Sequence, residues 1–221
     1  MSEIKEHILR KAADQLYWDS RIDSSDISLD VKDGEHITLT GSVPDYRMYL
    51  AAEEDILSLF GIKSVTNALT VKNNPTTRSS TDTEIQSRIE TALNYNPNLK
   101  VSAIDVSVEN GTVRLEGSVD AYWKKLLVEE LVTGIEGVSG VINKLSILPS
   151  PSVSDATIAE AILAAMTRNK WIDVDAIEVQ VENGVVTLAG TVLNWAAHRS
   201  ALDIAHHTPG VIDIIDNLRY Q

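Results

Sequence analysis

Five histidines and two runs of adjacent acids are the residues of this chain best equipped for chemistry. His7, His36, His198, His206 and His207 carry ring nitrogens that bind metals, but a helical metal site needs two of them one turn apart. No two stand at i and i+4, and no His-Glu-x-x-His occurs. Glu53-Glu54-Asp55 and Glu129-Glu130 offer paired carboxylates, yet adjacent residues on a helix diverge by about 100° around its axis. Their spacing therefore reads as a solvated helix face. Phosphate cradles are absent, since neither Gly-x-x-x-x-Gly-Lys-Ser/Thr nor Gly-x-Gly-x-x-Gly is present. With no cysteine there is no thiolate nucleophile, thiolate metal site or disulfide. Asn110-Gly111-Thr112 matches a glycosylation sequon, but it falls in a tight turn. No catalytic residue, metal ligand or cofactor is expected.

The residues that do recur define a repeat. Leu16, Leu93 and Met166, then Ile27, Ile104 and Ile177, then Gly34, Gly111 and Gly184 lie 77 and then 73 residues apart. Downstream, Gly41, Gly117 and Gly190 align, followed by Tyr46, Tyr122 and Trp195, by Gly61, Gly137 and Gly210, and by Leu69, Leu145 and Leu218. The first interval there is 76, so the first copy carries one extra residue between Gly34 and Gly41. A unit of this length is a complete small domain and too long for a solenoid repeat.

Each copy opens with apolar residues at helical spacing, such as Ile85, Ile89, Ala92 and Leu93. Period-two alternation follows: Val106 and Val108 lead into Asn110-Gly111, then Val113 and Leu115, which predicts a hairpin with a type I′ turn. The extra residue predicts a longer turn in the first copy. A second helix, Asp45 to Phe60 in the first copy, is capped by Asp45 or Asn194, with Gly61, Gly137 and Gly210 as its left-handed terminators. A last alternating strand closes the unit. The fold class is α+β, with three tandem α-β-β-α-β modules, each a three-stranded mixed sheet with two helices on one face and the last strand parallel to the second. The predicted modules are 1–72, 82–148 and 155–221, with Pro/Ser/Thr-rich linkers at 73–81 and 149–154.

Two repeat positions hold candidate site residues. Tyr46, Tyr122 and Trp195 form either a ligand platform or packing anchors between the second helix and the sheet, and packing is the expectation. Asn67, Asn143 and Asp216 share strand parity with the apolar residues on either side, so they should face the helices and bond nearby backbone. An ionised Asp216 in the core would need several hydrogen bonds or a cationic partner, making the third module the pH-sensitive one.

The net charge of −13, from 32 acidic and 19 basic residues without a basic cluster, argues against nucleic acid and anionic membrane surfaces as partners. No apolar stretch approaches the roughly 18 residues of a membrane span, and the charged start (Glu3, Lys5, Glu6) is no export signal. A cytoplasmic location is expected as written, or a periplasmic one had a signal been removed.

The hairpin with Asn-Gly, the run Val113-x-Leu115-x-Gly117-x-Val119, the aromatic that opens helix two, and the ending Gly137-Val138-x-x-Val141-x-Asn143-x-Leu145 together resemble the BON domain, three times over. The resemblance implies the α-β-β-α-β fold, bacterial origin and no catalytic residues. It further implies osmotic or envelope stress roles through a partner protein or small ligand, phospholipid contact or, in one cytoplasmic branch, potassium binding. Asp216 in place of Asn, and the missing signal peptide or lipobox, depart from the envelope members.

Overall fold

The computed structural model describes residues 3–32, 35–72, 80–99, 103–148 and 153–220. Gly34, most of the linker 73–81 and residues 149–152 of the second linker lie outside them.

The first module runs α1 (Glu3–Trp18), β1 (Ile27–Lys32), β2 (His36–Val43), α2 (Tyr46–Leu57) and β3 (Ser64–Val71). The second runs α3 (Asp82–Tyr95), β4 (Ile104–Glu109), β5 (Thr112–Val119), α4 (Tyr122–Thr133), β6 (Gly140–Asn143) and β7 (Ser146–Ile147). The third runs α5 (Asp155–Thr167), β8 (Ile177–Glu182), β9 (Val185–Val192), α6 (Trp195–His207) and β10 (Asp213–Tyr220). Sheet orders are β1-β2-β3, β4-β5-β6 with β7 also on β5, and β10-β9-β8. The hairpins β1–β2 and β8–β9 are antiparallel, and β3, β7 and β10 run parallel to the middle strands, as a crossover helix requires. Three mixed sheets in three α-β-β-α-β modules are thus present.

By contact density the chain forms two units. One gathers residues 1–85, 108–113 and 133–140, and the other gathers 86–107, 114–132 and 141–221.

Alternation places Ile37, Leu39 and Val43 of β2 in the first core with Ala12, Leu16, Ala52 and Ile56 from the helices. In the third module Val186, Leu188 and Val192 meet Ile158, Ile162, Met166, Ala201 and Ala205. Small residues on α6 let that helix lie close to the sheet.

The hairpin turns are type I′ in the later modules. Asn110 and Asn183 both have φ of 51°, and Gly111 and Gly184 follow at 76° and 77°. An unforeseen clamp holds each turn. The carboxylate of Asp82, the first residue of α3, accepts the backbone N–H groups of Asn110 at 2.8 Å and Gly111 at 2.9 Å. Asp155 does the same for Asn183 at 2.9 Å and Gly184 at 2.8 Å. The first module has Lys5 at this position, which cannot accept an N–H and instead pairs with Asp30 at 2.9 Å. There Lys32 pairs with His36 across three intervening residues rather than two.

Gly41, Gly117 and Gly190 have φ of 119°, 115° and 127°, and a Cβ on them would sit about 2 Å from the carbonyl oxygens of Asp26, Ala103 and Ala176. Both the backbone conformation and the close approach exclude a side chain. Gly61, Gly137 and Gly210 correct the sequence reading. Helix two ends earlier, at Leu57, Thr133 and His207, and these glycines take the third position of a following turn. In that turn Leu59, Ile135 and Thr208 accept the N–H of Ile62, Val138 and Val211. The positive φ of 91°, 98° and 93° belongs to that turn and not to a helix terminator. The helix must stop here for Leu59 to reach back against the core.

Candidate functional site

The recurrent polar residue of the last strand forms a latch between strand and helix. In the first module Asn67 Nδ2 donates to the carbonyl of Tyr49 at 2.9 Å and to Glu53 Oε2 at 3.2 Å, while its Oδ1 accepts the N–H of Leu69 at 3.2 Å. In the second, Asn143 repeats all three bonds, to Lys125 O (3.1 Å), Glu129 Oε2 (3.0 Å) and Leu145 N (3.2 Å). Every donor and acceptor of the amide is directed inside the module. The inward parity read from the sequence is correct, and so are the local backbone partners.

The third module keeps the backbone bond and inverts the rest. Asp216 Oδ1 accepts the N–H of Leu218 at 3.0 Å, and Oδ2 meets His198 Nε2 at 2.7 Å. His198 holds the position of Tyr49 and Lys125, and Leu202 that of Glu53 and Glu129. Asp216 has thus lost an amide donor while Leu202 has removed the acidic acceptor it would have repelled. The carboxylate faces α6 but is no core group. Its side chain is 34% exposed, so the expectation of a buried charge was wrong. Parity fixes which face a residue takes, not its depth, and this edge of β10 is left open to water.

The aromatic position lies on the first turn of helix two, half-buried and outside the cores' buried residues. Tyr46 stacks on Tyr49 at 5.3 Å, and the Arg199 guanidinium covers Trp195 at 5.1 Å. Tyr122 is different. Its ring stacks on His206 of the third module at 4.9 Å and 4°, packs against that module's core, and has Lys125 Nζ 6.0 Å above it. Burial pushes the Tyr122 hydroxyl up, with Asp213 and Glu129 adding to it, and burial pushes the His206 imidazole down.

The acids divide as well. Glu53 and Glu129 belong to the latches, and Glu54 lies 3.7 Å from Arg21. Asp55, expected on a solvated face, is buried at 6% exposure, and its Oδ2 has no hydrogen-bond partner among the described residues. Burial pushes its carboxyl up, and Asp19 adds to that. His36 bonds Ser64 Oγ at 2.7 Å and Thr66 Oγ1 at 3.0 Å on an exposed sheet face, and His207 bonds its own helix. Among the described residues no three His, Cys, Asp or Glu side chains converge as a metal site, and no helix is long and apolar enough to cross a membrane.

The BON domain model matches residues 5–73, 81–149 and 154–221, which is nearly the whole chain. The chain belongs to the BON domain family. Among BON-related proteins it is 26% identical over 144 residues to "Osmotically-inducible protein Y" of Escherichia coli K12, covering 62% of this chain and 72% of that one. It is 33% identical over 146 residues to "Outer membrane lipoprotein DolP" of Haemophilus influenzae, covering 63% and 74%. To the "21 kDa hemolysin" of Actinobacillus pleuropneumoniae it is 28% identical over 144 residues, covering 63% and 74%. A solved structure of CdsD, a structural protein of the Chlamydia trachomatis type III secretion system, aligns over 98% of this chain and 91% of that one at 15% identity, with a TM-score of 0.27. Each of the three matched segments contains one of the close glycine approaches, one of the latches and one of the helix-opening aromatics. The turn clamp on Asp82 and Asp155 escaped the sequence reading, and its only signal was the recurrence of an acid 73 residues on.

Proposed function

We propose that this chain is a non-catalytic, tandem BON-domain protein of the osmotic or envelope stress response, acting by binding a partner protein or small ligand through surfaces its modules share. The observation that carries this reading is the threefold latch, whose polar groups bond within each module and leave surfaces rather than reactive groups on offer. Similarity to an osmotically inducible protein and to an outer membrane lipoprotein supplies the stress and envelope setting. The units of binding are the modules 1–72, 82–148 and 155–221. A thermal-shift panel across potassium, sodium, calcium and lipid headgroups, with a pull-down from osmotically stressed cells, tests it, because a ligand of the native state raises its melting temperature. Absence of any shift and of any partner would refute it.

A second reading, contact with a membrane surface, is favoured by exposed aromatics at or shortly after the end of the first helix in each module. Tyr17 and Trp18 are 76% and 81% exposed, Tyr95 is 85% exposed and Trp171 is 56% exposed. Such rings sit well at a lipid–water boundary. Flotation with anionic and neutral liposomes decides it, and a protein that stays at the bottom with both excludes this reading.

A further inference from the structure

The second and third modules meet through a directional contact. The start of helix two in one module, Tyr122, lies flat on the end of helix two in the next, at His206. Each module therefore has an offering corner, where helix two begins, and a receiving corner, where it ends. Thr133, which holds the His206 position in the second module, is itself buried at 8% exposure, and residues 133–140 fall into one contact unit with residues 1–85. In that order of contacts the receiving corner of the first module (Leu57 to Phe60) and the offering corner of the third (Leu193 to Trp195) are the two left over.

Those two corners carry large exposed apolar side chains, Phe60 and Leu193, that no sister position has. Phe60 is 91% exposed, where the second and third modules have Glu136 and Pro209. Leu193 is 60% exposed, where the first and second modules have Pro44 and Asp120. Beside Leu193, Trp195 lies under Arg199 much as Tyr122 lies under Lys125. Phe60 and Leu193 are the large apolar side chains exposed at the two leftover corners, and docking one corner on the other removes both from water.

We propose that the occupant is a second copy of this chain: the Leu193–Trp195 corner of one molecule docks on the Leu57–Phe60 corner of the next, continuing the contact between modules head to tail. A heterologous contact of this kind joins more than two chains, as a closed ring or as an open filament. It extends the binding role proposed above to self-association. Ligand-induced thermal shifts test that role and mass measurements test this one, so either can fail alone.

The test is sedimentation equilibrium of the full chain up to about 1 mM, the effective concentration that a short linker gives neighbouring modules. The mass should rise with concentration past two chains. Phe60→Glu and Leu193→Asp each install the second module's own residue, and each should weaken association roughly tenfold or more. The two variants mixed in equal amounts should associate again but stop at two chains, since only one compatible junction remains. In this cysteine-free background a Phe60→Cys, Leu193→Cys double variant should oxidise to a ladder of disulfide-linked multimers. A mass that stays at one chain throughout overturns the proposal, and so does a mixture that behaves like either variant alone.

Discussion

Asp55 should be a residue that the first module is better without. It occupies the position held by Leu131 and Ile204 in the sister modules, and Gln15, within hydrogen-bonding reach of it, occupies that of Ala92 and Ala165. The double substitution Gln15→Ala, Asp55→Leu gives the first module its sisters' pairing. It removes a buried carboxylate oxygen with no bonded partner, a cost of about 1–3 kcal/mol, and adds a buried leucine, a gain of about 1.5–3 kcal/mol. Against this stands the contact with Arg21 at 3.8 Å, whose side chain is 52% exposed. Such a contact contributes at most about 1 kcal/mol. Allowing for imperfect packing, a net stabilisation of about 2 kcal/mol is expected, which slows hydrogen exchange of the α1 and β2 amides roughly thirtyfold where exchange needs opening of the module. Mass spectrometry of the full chain resolves those segments. The pH dependence is a second readout. A carboxyl raised in the folded state stabilises below its ordinary value of 3.8 and loses that contribution as pH rises through the folded value. Asp19 is held down, chiefly by its hydrogen bonds from Arg21, so its contribution is lost as pH falls below 3.8. The variant should lose the first dependence and keep the second. Unchanged or faster exchange, or an unchanged slope above 3.8, would show that Asp55 is adequately solvated.

Gly117→Val should cost at least about 3 kcal/mol, because the backbone is in the left-handed region and a Cβ would stand 2.1 Å from the Ala103 carbonyl; selective proteolysis of the middle module is the check. Asn143→Ala removes three hydrogen bonds and leaves the Lys125 carbonyl and Glu129 without the amide, for a loss of about 1–3 kcal/mol in chemical denaturation. Asp216→Asn keeps an acceptor for Leu218 and alters only a partly exposed contact with His198, so it should change stability by less than about 1 kcal/mol. Burial lowers the His206 pKa from 6.5, so the native state binds fewer protons there, and the junction with Tyr122 should weaken as pH falls below 6.5. An NMR titration midpoint of the His206 ring at or above 6.5 would contradict this.

The local grammar of the modules was legible in the sequence. Asn110-Gly111 and Asn183-Gly184 dictate their turn, Asp45 and Asn194 cap their helices by accepting Met48 and Ala197 N–H groups, and alternation set the inward parity of Asn67, Asn143 and Asp216. What escaped depends on distance in space. Asp82 looks like an ordinary acid at a helix start, and nothing local ties it to a turn 28 residues away. Asp55 sits in a run of three acids that reads as solvated, and only the approach of α1 buries it. The cover over His206 could not be read from its own module, because the ring that covers it belongs to another. The depth of Asp216 was missed because alternation says which way a side chain points and nothing of how much lies above it.

Three near-identical folding problems on one chain raise the risk that a last strand pairs with the wrong middle strand, since each hairpin is local and each parallel strand must return across a helix. The altered latch works against that error. Seated in the second module, β10 would bring the Asp216 carboxylate to where Glu129 now receives the Asn143 amide at 3.0 Å, setting two negative charges together. Seated in the third, β6 would present Asn143 with no acid to bond, because Leu202 stands in its place. A two-residue change in hydrogen-bond polarity thus serves as an address label for the third closing strand, setting it apart from the other two, which share one Asn–Glu latch.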